Sequence, residues 1–206
     1  MLLLVALGAM GYALGSVSPG YLIGRRYGHV DLREVGSGST GATNALRTVG
    51  VGAGLAVALA DIVKGALAVS LAGVLVGTVG GQAAAALGAV GGHCWPIGLR
   101  GRGGRGMTPA VGATLLLVPQ VAPIAAAAFL GGIALTRIVS VGSLAAVSLT
   151  VAGYLALVAL GTLSFSAAPL AFLCGTAVIV LVRHADNIRR LLARREPRIG
   201  ERPPRL

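Results

Sequence analysis

Long stretches without a charged residue dominate this sequence and restrict the folds that it can adopt. Three of them span residues 1–24, 107–136 and 138–182. Each is at least as long as the roughly 20 apolar residues that a helix needs to cross a bilayer. Because 55% of the residues are hydrophobic and only 11% are charged, we predict an all-α, polytopic membrane protein with one domain over residues 1–206.

The arginines are confined to short segments between the apolar runs, and this sorting predicts the topology. All sixteen lie outside the runs, and many of them fall in a basic C-terminal tail that begins at about residue 183. Because positive residues accumulate on the cytoplasmic side, we expect the arginine-bearing loops and the tail in the cytoplasm and the N-terminus outside. The same basic surface would contact anionic membrane lipids rather than nucleic acid.

The run over residues 107–136 decides the number of spans. Arginine flanks both ends, so one long helix would carry Arg137 to the outside, against the positive-inside tendency. We therefore expect two short helices that fold back near Pro119 and Pro123, with their broken backbone buried in protein. This gives seven transmembrane segments. Three of the other five lie at about residues 1–24, 51–76 and 81–95. The last two lie within residues 138–182 and are joined by a turn near residues 161–166.

A glycine-rich loop follows the first apolar run: residues 35–47 read VGSGSTGATNALR. Glycines admit the positive φ angles that turn successive N–H groups toward an anion, so the loop is a candidate phosphate site. Asn44 and Arg47 lie one helical turn apart and can face the same ligand. The alternative is a flexible linker. The candidate binding residues here are Gly36, Gly38, Gly41, Asn44 and Arg47.

A second basic, glycine-rich loop follows the third predicted span: residues 100–106 read RGRGGRG. Guanidinium groups grip phosphate oxygens bidentately, so this loop is a second candidate phosphate site. The alternative is that its arginines serve only to fix the topology.

Two charged residues, Asp61 and Lys64, interrupt the apolar run over residues 51–76 and share one helix face. Charges inside a bilayer are costly and normally face a bundle interior or a polar cavity. We expect an ion pair that fixes packing, and a direct role in catalysis is left open.

His184 and Asn187 share a helix face just beyond the last span. A histidine beside an asparagine, at a membrane surface crowded with arginine, is a candidate active-site group, although packed histidines without a catalytic role are more common. Acidic residues and cysteines are too few and too scattered for a metal site, and no cofactor is predicted.

Five motifs occur in order along nearly the whole chain. They are G-S-G-S-T-G-A-T-N-x-x-R over residues 36–47, Asp61-x-x-Lys64-Gly65, Gly92-His93-x-x-Pro96 leading to Gly103-Gly104-Arg105-Gly106, Thr136-Arg137-x-x-Ser-x-Gly-Ser143, and Arg183-His184-x-x-Asn187-Ile188-x-Arg190-Leu191. Together they resemble the bacterial acyl-phosphate:glycerol-3-phosphate acyltransferases, the PlsY family.

The resemblance implies a seven-segment enzyme of the bacterial inner membrane that catalyses the first step of phospholipid synthesis. Such an enzyme transfers a fatty acyl group from acyl phosphate to the 1-hydroxyl of sn-glycerol 3-phosphate, which yields lysophosphatidic acid and phosphate. The implied partners are therefore acyl phosphate, glycerol 3-phosphate and membrane lipids. An acyl phosphate is already activated, so the protein has only to hold two phosphates close together and aim a hydroxyl at the carbonyl.

The resemblance also assigns roles to residues. Ser37 and the glycines around it hold the acyl phosphate together with Arg47, and the loop ending at Arg105 takes glycerol 3-phosphate with Ser143. The remaining implied site residues are His93, Gly103 and Gly104 for substrate binding, His184 and Asn187 with Ser37 for catalysis, and Glu196 for a structural role.

The donor is expected to be an acyl phosphate because the motif of thioester-dependent enzymes does not occur. Those glycerolipid acyltransferases typically carry His-x4-Asp, in which the histidine deprotonates the hydroxyl. The residues five positions after the three histidines are Glu34, Gly98 and Arg189.

Two alternatives remain open from the sequence. Arg105 stands where the family usually has lysine, and the two side chains differ in geometry, so the acceptor could be another phosphorylated polyol. An organic-phosphate transporter would also suit a fold-back hairpin with charges inside the membrane. Against transport, the chain has no two matching halves and its polar motifs gather on one face.

Overall fold

In the computed structural model, which describes residues 1–201, the chain forms α-helices joined by loops, of which the two longest cover residues 28–41 and 95–106. The helices are α1 (Leu2–Ser16), α2 (Pro19–Tyr27), α3 (Ala42–Thr48), α4 (Val51–Val76), α5 (Val79–Cys94), α6 (Met107–Leu117), α7 (Ala122–Thr136), α8 (Val139–Ala159), α9 (Ala167–Arg183) and α10 (Ala185–Leu192). The predicted all-α class is confirmed. Of the predicted basic tail, Arg202 and Arg205 lie outside the described residues.

Several helices are long and apolar enough to cross a membrane. These segments are Leu2–Tyr27, Val51–Val76, Pro119–Thr136 and Val139–Ala159, with a fifth if α9 and α10, which meet at a 60° bend, count as one. α5 has 16 residues and α6 has 11, so both are shorter than an ordinary span. The chain is a multi-pass membrane protein built from helices of very unequal length.

The predicted break in the run over residues 107–136 is present. Proline at position 119 begins a short turn, Pro119–Val121, between α6 and α7. α6 packs mainly against α4 and α7 mainly against α8, so the two halves diverge into different parts of the bundle. Val118 and Val121 are buried, whereas Pro119 and Gln120 between them are exposed, so the expected burial of the broken backbone in protein is met only in part.

The first apolar run, predicted as one span over residues 1–24, forms the candidate span Leu2–Tyr27, but the helix is interrupted within it. α1 ends at Ser16 and α2 begins at Pro19, whose ring cannot continue a helix but suits its first position. Ser18 caps α2 by accepting from the amide of Tyr21 at 3.4 Å. The break leaves the carbonyl oxygen of Val17 available to a side chain from another helix.

Small residues allow the membrane helices to approach closely. A methyl group on Gly88 of α5 would overlap the carbonyl oxygen of Gly8 in α1, and one on Gly11 of α1 would overlap that of Ala85. The same holds between α4 and α6, where Gly112 lies against the carbonyl of Ile62. Backbone contact of this kind supplies much of the packing energy between helices in a bilayer.

The predicted polar stretches meet at one end of the bundle, joined by arginine side chains. Arg102 donates to the carbonyl of Arg33 at 2.9 Å, and Arg137 donates to the carbonyl of Ile199 at 3.1 Å. Arg183 reaches across to the second glycine-rich loop. These bonds gather four segments that are distant in sequence around one cavity.

Candidate active site

A polar cavity of about 70 Å³ lies where these segments meet. Its walls carry hydroxyl groups, two imidazoles and a guanidinium, and the only lining side chains that are purely apolar are small or flexible. The lining residues are Ser37, Ser39, Gly41, Ala42, Thr43, Asn44, His93, Arg105, Met107, Thr108, Val139, Ser140, Ser143 and His184.

The first glycine-rich loop has the predicted positive φ angles at two of its three glycines, but the amides of Ser37, Gly38 and Gly41 donate to oxygen atoms of the loop itself and of Asn44 and are not turned toward the cavity as a nest. Gly36 and Gly38 have φ angles of +61° and +67°, which only glycine adopts without strain. A methyl group on Gly36 would also overlap Oδ1 of Asn44. Gly41 has an ordinary φ of −80° and caps the start of α3 without a side-chain hydrogen bond. The loop turns sharply at its first two glycines and presents Ser37 to the cavity.

Asn44 holds this loop together. Its Oδ1 accepts from the amide of Ser37 at 3.0 Å, and its Nδ2 lies 2.9 Å from the carbonyls of Leu32 and Ser39. The side chain is 2% exposed. Its amide is thus occupied by the loop backbone, and a substrate contact from this residue, as the sequence analysis expects, would have to compete with these bonds.

Positive charge dominates the electrostatics of the cavity. Burial, together with the positive charges of Arg190, Arg47 and Arg183, lowers the pKa of the Arg105 guanidinium to about 10 against the opposing attraction of Glu196. Burial likewise lowers the pKa of Arg47. Arg190, Arg47 and Arg183 lie close enough to Arg105 to add to the effect of burial on its pKa, and an anion placed among these cations would relieve their repulsion. The arrangement suits a phosphate group.

The second glycine-rich loop has a steric role that the sequence does not reveal. Neither Gly103 nor Gly104 has a positive φ angle. Instead the loop lies against His93: the amide of Gly104 donates to the carbonyl of His93 at 3.0 Å, and a methyl group on Gly104 would overlap the imidazole ring. Arg183 clamps the loop from the other side, since its Nε and Nη2 donate to the carbonyls of Gly104 and Gly103 at 3.0 and 3.2 Å.

Behind His93 lies the predicted ion pair of α4. Lys64 Nζ is 2.7 Å from Oδ1 of Asp61, 3.0 Å from Nδ1 of His93 and 2.8 Å from the carbonyl oxygen of Val17. Nδ1 of His93 is also 3.2 Å from Asp61 Oδ1. The pair therefore contacts a residue of the cavity wall as well as the break between α1 and α2.

His184, at the junction of α9 and α10, presents a hydrogen-bond acceptor to the cavity. Its Nδ1 is 2.8 Å from the carbonyl oxygen of Val180. A carbonyl can only accept, so Nδ1 carries the proton and Nε2 carries a lone pair when the ring is neutral. The imidazole can thus orient a hydroxyl group by accepting its proton in a hydrogen bond.

Glu196 organises the last part of the site. Its Oε1 accepts from Ser140 Oγ at 2.8 Å and from Nδ2 of Asn187, and its Oε2 accepts from Arg190 Nε at 2.6 Å. Burial raises the pKa of this carboxyl, but the hydrogen bonds from these three residues outweigh burial and hold the pKa below its usual value. The carboxylate joins α8 to α10.

An apolar cavity of about 420 Å³ adjoins the polar one. Met107 and Thr108 line both cavities, so the two meet at the start of α6. From there the apolar cavity runs between α4, α6, α7, α8 and α9, past Phe129 and Val147 to Thr176. Its shape and lining suit a hydrocarbon chain whose polar end lies in the polar cavity.

The predicted site residues fall into two groups in the structure. Those that line the polar cavity are Ser37, Gly41, Asn44, His93, Arg105, Ser143 and His184. Those that lie beside or behind it are Gly36, Gly38, Arg47, Asp61, Lys64, Gly103, Gly104, Asn187 and Glu196. Thr108 and Arg183 were not predicted as site residues from the sequence. Thr108 follows Arg105 closely in sequence, and that is the one signal in the sequence that marks it.

Comparison with known proteins places this geometry in context. The sequence profile of the glycerol-3-phosphate acyltransferase family matches residues 5–194. A glycerol-3-phosphate acyltransferase of Synechococcus sp. (strain JA-3-3Ab) is 48% identical, over 97% of this chain and 94% of the relative. Glycerol-3-phosphate acyltransferase 3 of Dehalococcoides mccartyi (strain CBDB1) is 38% identical over 98% and 97%.

Solved structures agree with the sequence comparison. The chain is similar to the crystal structure of PlsY (YgiH), an integral membrane glycerol 3-phosphate acyltransferase, in its glycerol 3-phosphate form, with a TM-score of 0.85, 32% identity and 96% coverage of both chains. The lysophosphatidic acid form of PlsY gives a TM-score of 0.83 with 29% identity, over 96% of this chain and 95% of the other.

Proposed function

This chain belongs to the glycerol-3-phosphate acyltransferase family, and from that premise we propose that its acyl donor is an acyl phosphate. The enzyme transfers the fatty acyl group to the 1-hydroxyl of sn-glycerol 3-phosphate and releases lysophosphatidic acid and inorganic phosphate. Enzymes of this family act in phospholipid synthesis.

The observation that carries this proposal is the junction of the polar and apolar cavities at Met107 and Thr108. An acyl phosphate has an apolar chain that ends in a carbonyl bearing a phosphate. With its chain in the apolar cavity and its phosphate among the cations of the polar cavity, the reacting carbonyl lies at the boundary. A molecule of this kind therefore matches both cavities at once.

The polar groups divide between the two phosphates. Ser37 and the loop around it hold the donor phosphate, with Arg47 adding positive charge nearby. Arg105 and Ser143 hold the phosphate of the acceptor. Crowded guanidinium groups overcome the repulsion between the two anions and bring hydroxyl and carbonyl into contact, which is how a site without a covalent intermediate accelerates transfer.

The tautomer of His184 allows its imidazole to orient the hydroxyl group of the acceptor. Nε2 of His184 accepts a hydrogen bond from the acceptor hydroxyl and aims its oxygen at the carbonyl, while Asn187, anchored by Glu196, supports the junction between α9 and α10. The hydroxyl oxygen bonds to the carbonyl carbon, the bond from carbon to the phosphate oxygen breaks, and the departing phosphate takes the hydroxyl proton. Because the donor is already activated, neither a strong base nor a nucleophilic side chain is required.

We also propose seven membrane crossings, made by α1, α4, α5, α6, α7, α8 and α9, in the bacterial inner membrane. The short α6 and the longer segment Pro119–Thr136 fold back at Pro119, so that both arginine-flanked ends lie on the cytoplasmic side. The N-terminus is then outside, and the polar cavity opens to the cytoplasm, where glycerol 3-phosphate is found.

The test uses the purified protein in detergent with palmitoyl phosphate and glycerol 3-phosphate. We expect stoichiometric release of phosphate and lysophosphatidic acid acylated at the 1-position. Ala126→Phe, which fills the apolar cavity, should shift preference to shorter acyl phosphates without changing the KM for glycerol 3-phosphate. Phosphate release that needs a different polyol phosphate would refute the acceptor assignment, and uptake of glycerol 3-phosphate into liposomes without acyl transfer would support a transporter instead.

A further inference from the structure

The cluster of Asp61, Lys64 and His93 has no part in the mechanism above, although it lies directly behind the polar cavity. The three residues are 0%, 7% and 5% exposed. An ammonium group has three N–H donors. In Lys64 they meet three acceptors: the Asp61 carboxylate, the Val17 carbonyl and Nδ1 of His93.

Two contacts at Nδ1 bear on which ring nitrogen of His93 carries the proton. Nδ1 lies 3.2 Å from Oδ1 of Asp61, which can only accept, and 3.0 Å from the ammonium of Lys64, which can only donate. The ammonium contact is the shorter of the two, and in it Nδ1 accepts. The neutral ring is then protonated at Nε2. That nitrogen lies on the opposite edge of the ring, beside Gly104, where His93 forms part of the wall of the polar cavity. His93 thus presents an N–H donor, whereas His184 presents a lone pair.

The His93 ring lies close to the boundary between the two cavities. Thr108 is one of the two residues shared by the polar and apolar cavities, and it lines the polar cavity together with His93. On the Nδ1 side of the ring, Asp61 joins the two residues, since its Oδ2 accepts from Thr108 Oγ1 at 3.4 Å. In the proposed function the boundary is the place of the acyl carbonyl.

We infer that Nε2–H of His93 donates to the acyl carbonyl oxygen and stabilises the negative charge that develops there, and that Asp61 and Lys64 are positioning residues that hold this tautomer. The inference rests on the proposed function. As the hydroxyl oxygen bonds to the carbonyl carbon, the π electrons of the carbonyl move to its oxygen, which accepts the stronger hydrogen bond. They return when the phosphate leaves with the hydroxyl proton, and His93 keeps its own proton throughout.

Substitution of His93 tests the donor. His93→Phe should lower kcat by about 10²–10³-fold, as the loss of one such donor does in other acyl-transfer enzymes, with little change in the KM of either substrate. The amide nitrogen of glutamine can take the place of Nε2, so His93→Gln should keep kcat within about tenfold of the unsubstituted enzyme, the scale of one neutral hydrogen bond. His29→Asn, in the loop after α2, is the matched control and should leave both constants unchanged.

Substitution of the ion pair tests the positioning role. In Lys64→Met, the proton of His93 should move to Nδ1 to meet Asp61, and kcat should fall by about 10²-fold. In Asp61→Asn/Lys64→Met, no buried charge is left unpaired. The new amide can accept from Thr108 and donate to Nδ1, so Nε2 should be protonated again and kcat should recover to within about tenfold.

Nitrogen NMR of ¹⁵N-histidine-labelled protein reads the tautomer directly, with the His93 signals identified by their loss in His93→Gln. A resting enzyme with His93 protonated at Nδ1 would overturn the inference, as would a His93→Phe variant that raises a KM and leaves kcat unchanged. If the double variant regains the Nε2–H but remains as inactive as Lys64→Met, then Asp61 and Lys64 contribute only to packing and do not position His93. Failure of the proposed function would give a different result, because the unsubstituted protein would then not turn over acyl phosphate at all.

Discussion

A single methyl group added at Gly104 should disable the enzyme by displacing His93. That methyl group would lie 2.5 Å from Cε1 and 2.9 Å from Cδ2 of the ring, where an ordinary contact begins at 3.4 Å. The ring would have to retreat by about 0.9 Å at Cε1 alone. Lys64 and Asp61 hold it from behind, and Arg183 holds the loop in place. A displacement of about 1 Å in a reacting geometry costs roughly 10²-fold in rate.

The assay is steady-state release of phosphate from palmitoyl phosphate at saturating glycerol 3-phosphate. Gly104→Ala should lower kcat by about 10²-fold and, as an overpacked site, lower the free energy of unfolding by about 1–3 kcal/mol. Gly98→Ala in the same loop region is the control, because a methyl group there meets no atom within 4 Å. Normal kcat in Gly104→Ala would show that His93 does not hold the position on which this reasoning depends.

Three further predictions concern charge and topology. Arg105→Ala should lower kcat/KM for glycerol 3-phosphate by roughly 10²-fold, since a charge-assisted contact is worth about 1.5–3 kcal/mol, and Arg105→Lys should lose much less; unchanged acceptor kinetics would place that phosphate elsewhere. With both native cysteines replaced, single cysteines at Gly80 and Ser164 should react with an impermeant reagent from outside and one at Gly98 should not, and the reverse pattern would invert the topology. Because the folded-state pKa of Glu196 is depressed, its stabilising effect is present above the unfolded-state pKa and is lost as the pH falls through the folded-state value. The unfolding temperature should therefore drop on acidification from about pH 6 to about pH 3, and Glu196→Gln should flatten that drop; an equal drop in both proteins would contradict it.

The broad architecture is predictable from sequence because it follows from local composition and charge. The apolar runs give the helices, and the arginines at both ends of residues 107–136 require the break that the structure has at Pro119. The break at Pro19 is not predicted from hydrophobicity alone, because the residues on both sides of it are apolar. A proline in an apolar run carries information that a mean hydropathy hides.

The site is predictable in its residues but not in their partners. The sequence expects Asn44 to face a ligand and Gly103 and Gly104 to wrap one. In the structure Asn44 bonds its own loop, and the glycines make room for an imidazole. Lys64 meets His93 and Val17 across 29 and 47 residues of sequence. Contacts of that range depend on how the helices pack, which neither periodicity nor motif spacing encodes.

The central claim is that the donor is recognised by its own phosphate, and donor discrimination tests it most directly. The purified enzyme is given glycerol 3-phosphate with either palmitoyl phosphate or palmitoyl-CoA at equal concentration, and lysophosphatidic acid is quantified. We predict rapid transfer from palmitoyl phosphate, none from palmitoyl-CoA, and loss of the first reaction in Ser37→Ala. Efficient transfer from palmitoyl-CoA that Ser37→Ala leaves unchanged would contradict the account.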